Sequence, residues 1–381
     1  MAPVSNPGTH TLRDLRLRWL LLAAASIFLV LGGFLLFSAN WASAARQWSL
    51  LAAIALAYQL IFHYPDLRLN HRTGESTPLP GFGPGTLASL SRLVCIGLLA
   101  GFLGLPRPPG ALAWLPFAIY FFANINDLLD GYLARRFEHE TELGAKLDMD
   151  LDGRALLLVS LLAYQYGVVP AWFLAAGAAR YLFIFGLWWR RRRGLPIEEL
   201  HHNPARRPLA GAQMGFTTAM LAPILGPPLT TIAAALFVPP FVGNFLYDWL
   251  QVSASLSRSF RSSARWSRIW TAVSYWLPPF LRLAAISALL LRFGQVRALP
   301  IFVIIDLMAI PAIGFGALGR LVALLALIAT GFRFALYPLL PIDISLVILL
   351  TAIFFLGTGA WSLFAPEIPW ANRRLGARPK P

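Results

Sequence analysis

Long uncharged stretches alternate with short basic ones along most of this chain. Arg13, Arg16 and Arg18 precede an uncharged run from Trp19 to Ser38, and a second run, Gln47 to Tyr64, ends at the charged segment Asp66–Arg72. After a Gly- and Pro-rich stretch to Gly85, apolar segments resume near Thr86, the first carrying Ser89, Ser91 and Arg92 at its basic end. Further segments run over Ala111–Ala134, from Asp148 to Gly167, and over Ala171–Trp189, Leu209–Leu225 and Leu229–Leu250. Four more follow at Trp270–Leu291, Ile301–Leu318, Leu321–Leu340 and Ile344–Phe364, three of them interrupted by Arg282, Asp306 and Arg333. Apolar runs of about 20 residues are what an α-helix needs to cross a bilayer. The pattern predicts an all-α, polytopic integral membrane protein of about 12 transmembrane helices.

The same pattern divides the chain. Residues 1–72 read as an N-terminal two-helix membrane extension, 73–250 as a six-helix domain, 251–269 as a basic linker and 270–381 as a C-terminal four-helix membrane domain. Arg258, Arg261, Arg265 and Arg268 recur at three and four residues, the spacing of a basic amphipathic helix on anionic headgroups.

Composition sharpens the class. The 381 residues are 57% hydrophobic and only 13% charged, far from a soluble domain. The net charge of +15 comes almost wholly from arginine, because Lys146 and Lys380 are the two lysines. With no motif for reading bases, that charge implies membrane orientation and no nucleic-acid partner. Cys95 stands alone in an apolar run, so neither a disulfide framework nor thiol chemistry is indicated. The first apolar run is too long for a signal-peptide core and reads as a retained anchor. Twelve spans put both termini on one side, together with Arg190–Arg193, the arginine stripe and the tail (Arg373, Arg374, Arg378, Lys380). By the positive-inside rule that side is cytoplasmic, which for a bacterial cell places the protein in the cytoplasmic membrane.

Against this background one stretch stands out: DLLDGYLARRFEHETELGAKLDMDLD, Asp127 to Asp152. Asp127 and Asp130 are three apart and Asp148 and Asp152 four apart, so each pair shares a helix face. Two such faces turned together make a pocket of four carboxylates, which at a membrane edge need cations. Oxygen-only ligands favour hard ions, Mg²⁺ or Mn²⁺ first. Asp150 falls on the opposite side of its helix and is left out. Glu138, His139, Glu140 and Glu142, and the adjacent His201 and His202, read as solvated loops. The competing class is a transporter or ion-binding membrane protein using the acidic cluster as a cation site, but no internal repeat supports it.

The stretch resembles the signature of the CDP-alcohol phosphatidyltransferases, D-x2-D-G-x2-A-R-x8-G-x3-D-x3-D, with all eight fixed positions filled. The resemblance extends more loosely from about Thr86 to about Leu250, and the C-terminal quarter bears a faint resemblance to four-helix DoxX-like membrane domains. It implies a six-helix, usually dimeric membrane domain that transfers a phosphatidyl group from CDP-diacylglycerol to an alcohol and releases CMP, a reaction of phospholipid biosynthesis. Asp127, Asp130, Asp148 and Asp152 are then ligands of two divalent cations, and Asp152 is also the catalytic base. Asp127, Gly131, Ala134, Arg135 and Gly144 form the CDP-lipid site, with the glycines admitting cytidine and pyrophosphate to helix backbone. Arg180 lies in mid-span, where a charge is a functional candidate by default. With Arg206 and Arg207 it reads as the acceptor site, which favours a phosphorylated polyol over a cationic or neutral alcohol.

Overall fold

The computed structural model describes residues 7–75, 77–198, 206–253, 264–295, 300–338 and 340–363. Among these the chain is all-α, with twelve α-helices, three short 3₁₀ turns and no strand. It divides into two compact units: the described residues up to Gly167 with Thr217–Pro223, and Val168–Phe216 with the described residues from Ile224 on.

The first unit contains α1 (Pro7–Asn40), α2 (Ala42–His63), α3 (Pro84–Ala100), α4 (Leu115–Arg136) and α5 (Glu142–Gln165). Helix α3 is its centre, packing on α2, α4 and α5, while α1 packs on α2. It is buried almost all round, with Leu93, Val94, Ile96 and Leu99 inside and Arg92 among them. Phe37 of α1, Trp48 of α2 and Phe102 beyond α3 meet edge to face with centroids 4.7–5.9 Å apart. Gly85 permits the close approach of α3 to α4: a Cβ there would stand 2.5 Å from the Asp130 carbonyl oxygen and 2.8 Å from Ala134 Cβ. Helix α5 is capped by Thr141, whose side chain accepts from the Gly144 amide at 3.1 Å. It buries Leu143, Leu147, Leu151 and Ala155, a stripe at four-residue spacing. The outer faces carry large exposed apolar side chains, among them Ile27 and Phe28 of α1 and Ile61 of α2, as helices facing lipid must.

The second unit holds α6 (Leu174–Arg192), most of α7 (Arg206–Met220), α8 (Leu229–Val252), α9 (Ala264–Gln295), α10 (Pro300–Gly314), α11 (Gly319–Leu336) and α12 (Pro341–Leu356). Helix α6 packs on α8, and α12 packs on α8, α9 and α11. The charges that interrupt these apolar segments are paired: Arg292 with Asp306 and Asp343, and Arg333 with Asp343. Arg282 donates to the carbonyls of Thr358 at 2.9 Å and Ala360 at 3.3 Å.

Five helices, α1, α4, α6, α8 and α9, are long and apolar enough to cross a bilayer, and α3, α10, α11 and α12 are shorter apolar helices. The others differ for physical reasons. Helix α2 turns Gln59 and His63 inward, α5 opens on a charged stretch, and α7 is 15 residues long. At the end of α6 the Arg192 and Arg193 guanidinium groups sit 4.8 and 4.4 Å from the Trp188 and Trp189 rings, an amphipathic cluster of the kind that anchors a helix at a membrane interface. Of the arginine stripe, Arg258 and Arg261 lie outside the described residues, while Arg265 and Arg268 belong to α9. The loop histidines His201 and His202 and the tail arginines also lie outside the described residues.

Candidate active site

The four motif aspartates come from the last three turns of α4 and the first three of α5. Asp127, Asp148 and Asp152 each offer one carboxylate oxygen, and these oxygens lie within 4.8 Å of one another. Asp130 takes a different partner: Ser89 Oγ of α3 donates to its Oδ2 at 2.9 Å. The structure thus resolves the four carboxylates into a close triad and a fourth one turn away.

The triad is organised by a residue that the motif does not contain. Arg92 of α3 is buried, and its guanidinium donates to Asp127, to Asp152 and, at 3.2 Å, to Asp148. With all three carboxylates ionised the triad carries three negative charges and Arg92 returns one positive, which leaves two negative charges for a bound cation to balance. That residual charge, an oxygen-only donor set and the 4.8 Å spacing fit a divalent cation. Arg92 was within reach of sequence reasoning. Thr86, Ser89 and Arg92 recur every three residues in a mostly apolar helix, the signature of a polar face turned toward something charged.

Beside the triad lies a cavity of about 130 Å³, lined from the motif by Asp130, Gly131, Ala134, Gly144 and Asp148, with Thr86 and Ser89 of α3 as its back wall. Asp148 belongs to both the cavity and the triad. The small residues have separable reasons. Ala134 meets α3 at Gly85, so its size is set by helix packing. A Cβ on Gly144 would sit 3.3 Å from Thr141 Oγ1 and 3.6 Å from Thr86 Oγ1, crowding the cap that starts α5. A Cβ on Gly131 would meet only the Arg135 guanidinium, at 3.0 Å, so packing alone does not require glycine there. Arg135 itself is half-exposed, one turn beyond Gly131.

The residues expected at the acceptor side lie elsewhere in the chain. Arg180 is on α6, in the second unit, half-exposed, and among the described residues of that unit it makes no hydrogen bond or ion pair. Arg206 and Arg207 form the first turn of α7, and their side chains lie outside the described residues.

A helical membrane protein with an acidic triad bridged by a buried arginine and an adjoining glycine-lined cavity defines a class of site, one suited to a cation and a phosphorylated ligand. Residues 86–242 match the model of the CDP-alcohol phosphatidyltransferase family. Proteins named "Putative cardiolipin synthase" from Mycobacterium tuberculosis (strain ATCC 25618 / H37Rv) and Mycobacterium bovis are 26% identical over 140 residues, 36% of this chain and 65% of theirs. A CDP-diacylglycerol–glycerol-3-phosphate 3-phosphatidyltransferase of Cereibacter sphaeroides is 29% identical over 89 residues, 23% of this chain and 39% of that protein. The chain therefore spans less than two thirds of the length of these relatives. No solved structure matches it.

Proposed function

We propose that this protein transfers a phosphatidyl group from CDP-diacylglycerol to the hydroxyl of a phosphorylated polyol and releases CMP, a step in phospholipid biosynthesis. The observation that carries the reading is Asp148, which lines the cavity and belongs to the carboxylate triad, so a ligand in the cavity lies against the cation site. Asp127, Asp130, Asp148 and Asp152 would hold two divalent cations, Mg²⁺ or Mn²⁺. The triad's residual charge balances the first, and Asp130 with the substrate's own phosphates balances the second. When bound, such ions neutralise charge on the pyrophosphate oxygens.

The cavity would take the cytidine and pyrophosphate of the CDP-lipid, with Gly131 leaving backbone accessible and Arg135 offsetting phosphate charge. The acceptor oxygen forms a bond to the β-phosphorus, the bond to the CMP phosphate breaks, and the hydroxyl proton passes to the Asp152 carboxylate. Arg180, Arg206 and Arg207, the sequence's acceptor candidates, would hold the acceptor's anionic group through paired donors. The Cereibacter relative, named for glycerol 3-phosphate, agrees with an anionic polyol. The positive-inside pattern and the Trp188–Arg193 cluster support a cytoplasmic-facing site with cytoplasmic termini, and the family likeness supports a homodimer.

The test is an acceptor panel. CMP release is measured with glycerol 3-phosphate, inositol phosphate, free inositol and serine, in wild type and in Arg180→Gln. The phosphorylated polyols should be preferred, and Arg180→Gln should raise their KM by about tenfold or more, the loss expected for a charged hydrogen bond. Equal rates with serine, or an unchanged KM in Arg180→Gln, contradict the anionic-acceptor reading.

A further inference from the structure

The N-terminal helix pair lies outside the segment that matches the family, yet it grips the helix that carries half of the motif. His63, at the end of α2, is fully buried, and its Nδ1 lies 3.0 Å from Asp66 Oδ2 in the short 3₁₀ turn Pro65–Leu69. Arg154 of α5 donates to His63 Nε2 at 2.9 Å, which fixes the ring with its proton on Nδ1, donating to Asp66. The other Asp66 oxygen accepts from Lys146 Nζ of α5 at 2.6 Å. The Arg154 guanidinium also lies 4.8 Å from the Phe62 ring centroid. At the first residue of α5, the Glu142 amide donates to the His71 carbonyl at 3.0 Å, tying the helix start to the segment after α2.

The faces of α5 make this arrangement informative. At about 100° per residue, Lys146 and Arg154 bracket one side of the helix, and Asp148 and Asp152 fall on the diametrically opposite side. The buried Leu147 and Leu151 lie between the two. Apolar packing is non-directional and tolerates small rotations, whereas a hydrogen-bonded pair on the far face sets the angle of the helix about its own axis.

We propose that His63 and Asp66 form a clamp which, through Lys146 and Arg154, sets the rotation of α5 and so presents Asp148 and Asp152 to the cation site. These are positioning residues, and the proposal rests on reading the two aspartates as cation ligands. It assigns to the N-terminal extension a role in the chemistry of a domain that begins some twenty residues later. Groups that orient a cation's ligands from behind, without touching the cation, are commonly worth about 10–100-fold in affinity or activity.

The test uses the full chain, purified in detergent, with two readouts: Mn²⁺ binding by electron paramagnetic resonance without substrate, and steady-state CMP release. Asp66→Asn and Lys146→Met should each weaken Mn²⁺ binding and lower kcat by about tenfold or more, with the KM for CDP-diacylglycerol within about threefold of wild type. Lys146→Arg, which keeps the donor, should retain both. A merely structural contact would lower the unfolding temperature and the yield of folded protein while leaving Mn²⁺ affinity and kcat of the folded fraction intact, and that result overturns the clamp. If Asp66→Asn does not fold, Lys146→Met, which loses a half-exposed side chain, carries the same test. A wild-type protein that binds Mn²⁺ but releases no CMP contradicts the proposed reaction, and Mn²⁺ affinity alone then decides the clamp.

Discussion

Arg92→Met removes the one positive charge that three carboxylates share. The Arg92 side chain is 1% exposed, but Asp127, Asp148 and Asp152 are 18%, 49% and 32% exposed. Removing one partner of a fully buried ion pair costs about 3–5 kcal/mol, and solvent reaching two of these three carboxylates places this case at the low end, about 3 kcal/mol. For a unit of this size that is a fall of about 6–12 °C in Tm without divalent cation. The site left behind holds three negative charges and should bind Mn²⁺ more tightly than wild type, where the ion competes with the guanidinium. At a free ion concentration about 100-fold above Kd, binding returns about 2.7 kcal/mol, nearly the whole loss. Thermal unfolding in detergent, with and without Mn²⁺, reads both quantities. An Arg92→Met protein as stable as wild type without cation, or one that gains no more from Mn²⁺ than wild type does, refutes the reasoning.

Two further substitutions probe the triad and its frame. Asp152→Asn should reduce CMP release by about 10²–10⁴-fold, the worth of a general base, while CDP-lipid binding stays near wild type because Asp127 and Asp148 remain; near-normal turnover would exclude Asp152 from that role. Gly85→Ala places a methyl 2.5 Å from the Asp130 carbonyl, a backbone atom that cannot rotate away, and should cost about 1–3 kcal/mol of stability and lower turnover by moving α3 from α4. Unchanged stability would mean that the two helices separate freely.

What the sequence made legible, and what it did not, follows from where each signal lies. The Asp pairs could be read because spacings of three and four place them on shared helix faces, and Asp127, Asp148 and Asp152 do converge. That Asp130 turns to Ser89 instead depends on which face of α3 it meets, and no local pattern contains that. Arg92 lies 35 residues from Asp127, and a charge at the end of an apolar run reads first as a membrane-orientation signal. Ala134, read from the motif as part of a ligand groove, lines the cavity and is also where α4 meets Gly85, a packing role that the motif does not reveal. Counting helices from apolar runs succeeded because lipid-facing and core-facing positions are both apolar here. It says less about which helices cross a membrane, since α2 and α5 spend one face on the polar network His63, Asp66, Lys146 and Arg154.

The central claim is that the carboxylate triad and its adjoining cavity support cation-dependent transfer from a CDP-linked lipid. It is tested most directly by incubating the purified protein with CDP-diacylglycerol and glycerol 3-phosphate and measuring CMP and lipid product together. The account predicts stoichiometric CMP and phosphatidyl product with Mg²⁺ or Mn²⁺, abolished by a chelator, restored by added cation and absent in Asp127→Asn. CMP release that persists in the chelator, or in Asp127→Asn, would contradict it.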